Sequence, residues 1–259
     1  MIIDFHTHIY PDAIAQKATD SICEFYGLST DLSGTAESLL REGRSAGIDK
    51  FVLLPVAVRP SLVHSVNDFT SHAVADHSEF IGFGTLHAEM GGPLAELERF
   101  SVLGLKGLKL HPDTQGFDAD DPRLFPVYDA ISGKYPVLIH CGDKTLKNSS
   151  PDKIKRIIRE FPKLTVIAAH LGGWSCFSEA VEMLSGERCF VDMSSCCPPL
   201  DEKTLVSYIR RYGAERVLFG TDFPLWDPKT QVEIFSRLPL TDDEKDLIAY
   251  KNAVNILSV

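Results

Sequence analysis

Two histidines near the start of the sequence, His6 and His8, are separated by a single residue. Because side chains alternate along a β-strand, both imidazoles are expected on one face, with Ile3 and Phe5 packing on the other. Two neutral imidazoles at the end of a strand form half of a site for a divalent cation. The short pattern is equally typical of two ordinary surface histidines, so the pair alone does not decide between these interpretations.

Three more potential metal ligands end later segments that are predicted as strands. His140 follows the apolar run 136–139, His170 follows 164–169, and Asp222 follows 216–221. If parallel strands alternate with helices and close into a barrel, their carboxyl ends meet at one mouth. The sequence therefore predicts that His6, His8, His140, His170 and Asp222 converge in space.

The elements that must position these residues alternate regularly along the chain. Apolar runs of strand length are predicted at 1–8, 50–56, 80–86, 104–110, 136–140, 164–170, 189–193 and 216–222. Helices are predicted between them at 11–26, 36–46, 61–78, 93–101, 122–133, 151–161, 174–185 and 201–212, with two more near 229–237 and from Thr241 onward. Thr241 and Glu244 have the spacing of a capping box.

Eight strands that alternate with helices predict an α/β protein with the (β/α)8 TIM-barrel fold, as a single domain over residues 1–259. A doubly wound open sheet is the alternative. It usually has fewer strands, and no Gly-x-Gly-x-x-Gly follows the first strand.

Alternation also predicts which strand residues face the barrel interior. Counting back in twos gives Leu138 beneath His140, the pair 166 and 168 beneath His170, and the pair 218 and 220 beneath Asp222. These inward positions carry small or apolar side chains, as a barrel interior requires.

The fourth strand carries Lys109 and His111 on one face. A lysine that points into a barrel is costly unless it is paired or modified. Pairing with a carboxylate, binding of an acidic substrate, and carboxylation to bridge two ions all remain open for Lys109. Arg59, after the second strand, is a candidate to clamp a substrate carboxylate in a bidentate manner. Asp192 and Ser194, at the end of the seventh strand, are candidate pocket residues.

Composition limits the class of protein. The 259 residues are 44% hydrophobic and 24% charged, as in soluble globular proteins. A net charge of −10 argues against a nucleic-acid surface. The six cysteines form no Cys-x-x-Cys pair, no signal peptide precedes Asp4, and no apolar run reaches the ~18 residues of a membrane span. These features predict a cytoplasmic protein with free thiols and no membrane partner, and a homodimer is a fair expectation.

Five motifs in order carry a family resemblance: the pair His6 and His8, GLKLHP at 107–112, VLIHCG at 137–142, AHLGG at 169–173 and LFGTDFP at 218–224. Together they resemble the amidohydrolase superfamily, and most closely the amidohydrolase 2 branch that includes aminocarboxymuconate semialdehyde decarboxylase-like enzymes. The resemblance extends from residue 3 to about residue 257 and implies a TIM barrel.

The resemblance also implies residue roles. One divalent ion, zinc in many members and manganese as an alternative, would be held by His6, His8, His140 and Asp222. His170 would lie beside it as a base or polarising group, and Asp222 could share that catalytic role. Such an ion lowers the pKa of bound water toward ~7. A two-metal site would recruit His170 as a ligand and Lys109 as a bridge. Lys109, Arg59 and His111 are the candidates for substrate binding.

Several activities fit this interpretation. The first is a metal-dependent hydrolase acting on a small amide, ester or lactone, and the second is a nonoxidative decarboxylase of a small carboxylic acid. A metal-free binding barrel is disfavoured because each expected ligand is present. A TatD-like nuclease is disfavoured because such enzymes carry a glutamate on strand four, where this chain has Lys109. The expected partner is therefore a small-molecule substrate.

Overall fold

The computed structural model describes residues 1–257 and contains nine short parallel strands. They are β1 Ile3–Thr7, β2 Lys50–Leu53, β3 Phe80–Gly82, β4 Gly84–Thr85, β5 Leu108–Leu110, β6 Val137–Ile139, β7 Val166–Ala168, β8 Phe190–Asp192 and β9 Val217–Leu218. The third predicted strand is divided at Phe83 into β3 and β4, and otherwise the eight predicted strands are present.

Helices follow the strands throughout. They are α1 Asp12–Tyr26, α2 Ala36–Ser45, α3 Val63–Asp76, α4 Pro93–Val102, α5 Pro112–Gln115, α6 Phe125–Ile131, α7 Pro151–Glu160, α8 Phe177–Leu184, α9 Glu202–Tyr212, α10 Pro228–Arg237, α11 Asp242–Asp246 and α12 Asn252–Leu257. The predicted capping box is present: the Thr241 hydroxyl accepts from the Glu244 amide, and the Glu244 carboxylate accepts from the Thr241 amide.

The strands form two parallel sheets, ordered β1-β2-β3 and β4 through β9. Backbone hydrogen bonds join the two sheets at both of their edges. Phe83 donates to Leu53 while the next residue, Gly84, donates to Gly107, so the break at Phe83 transfers the chain between sheets. Phe5 donates to Phe219, and Thr7 pairs with Phe223, which closes the first strand onto the last. The (β/α)8 TIM-barrel prediction is therefore confirmed, as a single domain.

The buried side chains separate into an inner and an outer cluster. The inner cluster combines residues from most of the strands with the end of the last helix: Ile3, Phe5, Val52, Leu54, Phe83, Leu138, Ile167, Ala169, Leu218, Ala253 and Leu257. The outer cluster packs alternate strand residues, such as Val137 and Ile139, against the helices. The inward orientation predicted for Leu138 and Leu218 is confirmed by this division.

The inward assignment of Val166 and Ala168 was wrong, because both belong to the outer cluster while Ile167 and Ala169 are inside. His170 lies beyond the end of β7, in a 3-10 turn with a positive φ of 58°, so strand alternation does not set its direction. A similar irregularity affects β1, where one extra residue between Asp4 and Thr7 shifts the pairing with β2. Ile3 and Phe5 thus pack inside the barrel, and His6 and His8 still reach its mouth.

Asp4 connects the first strand of the barrel to the segment that follows the last strand. Its buried carboxylate accepts from the Thr221 amide at 2.9 Å and hydroxyl at 2.6 Å, and from the His6 amide at 3.1 Å. Asp4 therefore holds the first strand against the segment after β9 rather than facing the mouth. Within residues 1–257, every helix is too short or too polar to span a lipid bilayer.

Candidate metal centre and active site

The carboxyl ends of the strands open into a cavity of about 760 Å³. Its inner end is lined by the polar residues that the sequence singled out: His6, His8, His111, His140, His170 and Asp222. The outer part is lined by residues of α1 and α3. Most of the predicted site residues therefore share one cavity, as a barrel mouth requires.

Three of the predicted metal ligands form a compact group. Asp222 Oδ1 lies 3.2 Å from His8 Nε2 and 3.5 Å from His6 Nε2. The three ligand atoms lie close enough together to hold one ion. His6 and Asp222 are buried and His8 is partly exposed to the cavity. This group contains ligands from both ends of the chain, as predicted.

The opposite ring nitrogens fix the direction of both imidazoles. His8 Nδ1 lies 2.7 Å from the Leu54 carbonyl oxygen, and a carbonyl can only accept, so His8 donates from Nδ1. His6 Nδ1 lies 3.0 Å from Asp192 Oδ2 and donates to that carboxylate in the same way. In the neutral rings both Nε2 atoms then carry lone pairs directed at Asp222.

Lone pairs on three atoms that face each other repel unless a positive charge lies between them. Two imidazole nitrogens and one carboxylate oxygen are also the donor set that Zn²⁺ and related divalent ions prefer. Burial, and then the charge of Lys109, lower the pKa of His6 to about 3, which keeps its ring neutral and able to bind a cation. The group therefore fits a divalent ion on its own chemistry.

Lys109 lies below this group. Its side chain is fully buried, and Nζ lies 3.2 Å from His6 Nε2. Burial lowers the pKa of Lys109 to about 8, with Asp222 and Asp192 acting in the opposite direction. The lysine is not among the residues that line the cavity, so it contacts a candidate ligand rather than open space.

His140 is not in the compact group and contacts it through His170. His140 Nδ1 lies 3.0 Å from His170 Nε2, and the His170 ring stacks on the His6 ring with centroids 4.9 Å apart. On its other side, His170 Nδ1 lies 3.1 Å from the Ser194 carbonyl oxygen. His170 thus lies between the three candidate ligands and His140.

A second group of potential ligands consists of His111, Asp113 and His140. The two imidazoles stack in parallel, with centroids 3.9 Å apart and 6° between planes. The Tyr26 hydroxyl lies 2.8 Å from His111 Nε2 and 3.3 Å from His140 Nε2, so it already contacts both nitrogens. Sequence reasoning missed Tyr26, which the end of α1 brings over the mouth.

Backbone strain is concentrated at the site. Among the non-glycine residues described, positive φ occurs at His170 (58°), Ser195 (53°) and Asp222 (64°), and also at Leu171 and Ser175. This region costs about 1–3 kcal/mol per residue and persists where the surroundings impose it. Ser195 donates to Asp222 Oδ2 and accepts from Trp226 Nε1 at 2.7 Å, which holds the Asp222 carboxylate in place.

Three weaker sequence candidates do not line the cavity. Asp192 is fully buried and holds the His6 ring, but neither Asp192 nor Ser194 is among the residues that line the cavity, so the structure does not support the prediction that they line the pocket. Arg59 is exposed before the 3-10 turn Pro60–Leu62 and is not among the residues lining the cavity. The structure gives no support to Arg59 as a carboxylate clamp, because its side chain lies outside the site.

Comparison with known proteins identifies the family. The family model described as Amidohydrolase matches residues 3–259. The chain belongs to the amidohydrolase family. The resemblance predicted from the five sequence motifs is confirmed.

Individual relatives of this amidohydrolase are distant. The chain is 24% identical over 203 residues to 2-amino-3-carboxymuconate-6-semialdehyde decarboxylase of Dictyostelium discoideum, covering 63% of this chain and 56% of that protein. It therefore spans little more than half the length of the curated relative that it matches.

Two solved structures share the fold of this amidohydrolase. An uncharacterized TIM-barrel protein from Bordetella bronchiseptica has a TM-score of 0.79 and 20% identity, with 99% and 98% of the two chains covered. The 5-carboxyvanillate decarboxylase of Novosphingobium aromaticivorans, complexed with manganese and 4-hydroxy-3-methoxy-5-nitrobenzoic acid, has a TM-score of 0.76 and 16% identity, with 100% and 96% covered.

Proposed function

We propose that this protein is a divalent-metal-dependent, nonoxidative decarboxylase of a small carboxylic acid. The observation that carries the proposal is the convergence of His6 Nε2, His8 Nε2 and Asp222 Oδ1 in a buried cavity. The names of the Dictyostelium and Novosphingobium proteins support decarboxylation rather than hydrolysis, and the manganese in the latter supports a divalent ion. Manganese and zinc are both candidates.

His6, His8 and Asp222 are proposed to hold the ion, with His140 as the fourth ligand. Burial favours the protonated form of Asp222, but the surrounding imidazoles, above all His6 and the hydrogen bond from His8, outweigh it and hold the pKa of Asp222 well below its usual range. Asp222 therefore acts as an ionised ligand. When bound, the ion supplies a positive charge that orients the substrate carboxylate and stabilises negative charge on an adjacent oxygen.

His170 is proposed to move the proton that the reaction consumes. Decarboxylation takes one proton onto the carbon that bears the carboxylate; the bond to that carboxylate then breaks, its electron pair stays on the carbon skeleton, and CO2 leaves. His170 lines the cavity, and its Nε2 lies 3.0 Å from His140 Nδ1. The Ser194 carbonyl and hydroxyl oxygens, 3.1 and 2.9 Å from Nδ1, hold the ring for this transfer.

We propose that His111 contacts the acidic substrate directly and that Lys109, which does not line the cavity, acts on the substrate through its charge. Lys109 is proposed to remain protonated beside His6 and Asp222, and its positive charge makes the electrostatic potential at the floor of the cavity more positive. His111 lines the cavity directly, beside Thr114. A two-metal site that uses His170 as a ligand and carboxylated Lys109 as a bridge is the alternative arrangement, and metal stoichiometry distinguishes it: one ion per chain supports the single site.

The six free thiols, five of them buried, support a reducing, cytoplasmic compartment for this reaction.

The test is a direct assay of products. Chelated protein is reloaded with Mn²⁺ or Zn²⁺ and incubated with a panel of aromatic and enol carboxylic acids and, separately, lactones, amides and esters. We expect CO2 release from at least one acid, and none from the Asp222→Asn variant. Acid release from a lactone without CO2 release from any acid would replace the decarboxylase with the hydrolase.

A further inference from the structure

The outer part of the cavity has a different chemistry from its inner end. α1 has one buried face, formed by Ala15, Thr19 and Cys23. A second apolar stripe on the same helix, Ile14, Ala18, Ile22 and Phe25, lines the cavity instead. A helix that only covers a barrel needs one apolar face, so this second stripe needs another explanation.

α3 likewise has one buried face and a second apolar face that lines the cavity. Val63, Thr70 and Ala73 are buried on its inner face. Val66 and Phe69, together with Leu62 just before the helix, line the cavity at helical spacing. Two apolar stripes thus face one continuous space that ends at the candidate ligands.

The rim of this space is exposed and apolar. Phe25 is 43% exposed, Ile14 51% and Val58 49%. Of the described lining residues, none is an arginine and Lys17 is the only lysine. A second carboxylate at this end of a substrate would have only Lys17, among the lining residues that the structure describes, as a cationic partner, whereas a hydrocarbon group would replace water against both stripes.

We propose that the substrate is a carboxylic acid whose far end carries an apolar substituent, which binds between α1 and α3 while the carboxylate lies among the histidines. This inference rests on the proposed decarboxylase function and names its substrate class. The cavity of about 760 Å³ is continuous from Asp222 to Phe69. Such a volume lies in the upper part of the roughly 300–1,000 Å³ range of small-molecule sites.

The test measures binding separately from turnover. The probes are 2-nitroresorcinols that carry hydrogen, methyl, propyl or pentyl at carbon 5, since a nitro group mimics a carboxylate and cannot leave as CO2. Calorimetric Kd values are measured on manganese-loaded protein. Burial of each methylene between the stripes is expected to tighten binding about 4-fold until the chain reaches the rim.

Two variants test where the alkyl substituent of the probe binds. Phe69→Ala in the wall and Phe25→Ser at the rim are expected to reduce the gain to about 2-fold or less per methylene. The Kd of unsubstituted 2-nitroresorcinol should stay close to the wild-type value in both. Val102→Ser on α4 is the matched control, because Val102 is 86% exposed and lies outside the cavity, and it should leave the whole series unchanged. Thermal melts establish that each variant is folded.

Three results would overturn the inference. Wild-type Kd values that do not change with chain length exclude an apolar subsite. If binding still tightens about 4-fold per methylene in both variants, the alkyl substituent binds elsewhere. A dimer that Phe25→Ser dissociates, with no dependence on chain length, assigns the apolar rim to a second copy of this chain. Failure of the decarboxylase proposal looks different: binding still tightens with chain length, but no matching carboxylic acid releases CO2.

Discussion

Two of the histidine groups at the mouth of the barrel differ in what satisfies their ring nitrogens. In the first, His6 and His8 are bound from behind by Asp192 and the Leu54 carbonyl, which directs both Nε2 atoms toward Asp222. In the second, the Nε2 atoms of His111 and His140 are contacted by the Tyr26 hydroxyl. In both groups the ligand atoms lie within 4.8 Å of one another, close enough to hold an ion.

The difference shows that proximity of ligand atoms is a weaker sign of a metal site than unpaired lone pairs. In the part of the chain that the structure describes, only His6 Nε2 of the first group has a nearby donor, the Lys109 ammonium at 3.2 Å, so the lone pairs of His8 Nε2 and Asp222 Oδ1 still face each other, which an ion resolves. The second group already has a hydroxyl that donates to one ring, so it is stable without an ion. The following experiments are designed to break or sharpen this distinction.

The largest expected effect is from Asp222→Asn compared with Asp113→Asn. The first change removes the negative charge of the first group, and metal affinity should fall by more than ~100-fold, because even indirect partners of a ligand contribute 10–100-fold. The second change removes the carboxylate of the second group and should leave metal content near the wild-type value. Elemental analysis after dialysis measures both. Equal metal loss in the two variants would abolish the distinction between the groups.

Replacement of His170 is expected to separate catalysis from metal binding. His170→Asn should retain the ion and lose about 10²–10⁴-fold in the rate of CO2 release, the usual contribution of a positioned proton-transfer group. Metal content and kcat are measured on the same preparation. If metal content falls with activity, His170 is a ligand and the two-metal arrangement is favoured.

Replacement of Asp192 tests whether the carboxylate that bonds His6 Nδ1 contributes to metal affinity. Asp192→Asn weakens the hydrogen bond that directs His6, so metal affinity should fall about 10–100-fold. Glu96→Gln is the matched control, because Glu96 is an equally buried carboxylate that bonds Asn67 and Arg99 away from the mouth. It should lower the melting temperature without a change in metal affinity. Identical metal titrations for the two variants would contradict the role given to Asp192.

The smallest effect is expected from Tyr26→Phe. Loss of one hydrogen bond of ordinary strength corresponds to about 2–10-fold in kcat/KM, with metal content unchanged. A loss of the ion in this variant would mean that the hydroxyl belongs to the metal site, and that the second group rather than the first holds the cation.

The sequence was sufficient for the fold because periodicity and order are local properties. Strand-length apolar runs, helix caps such as Thr241 and Glu244, and the positions of His6, His8 and Asp222 at strand ends all follow from nearby residues. The predicted inward face failed at Val166 and Ala168, because His170 lies in a turn whose backbone departs from the strand conformation.

Tertiary packing determined what the sequence did not reveal. Tyr26 reaches the mouth only because α1 packs across it, and no motif around Tyr26 signals that position. Arg59 follows a strand, as a substrate-binding residue often does, yet its loop directs it to solvent. The apolar lining of α1 and α3 was also hidden, since a second hydrophobic stripe looks like ordinary helix composition until its neighbours are known.

The bond between Asp4 and Thr221 joins residues 217 positions apart. During synthesis, the segment that carries His6 and His8 is therefore made long before its partner, and a nascent chain that ends short of Asp222 presents two imidazoles without their carboxylate. Contacts so distant in sequence form late and slowly in folding. Acquisition of the ion should accordingly report the last stage of barrel assembly, and its kinetics would time closure directly.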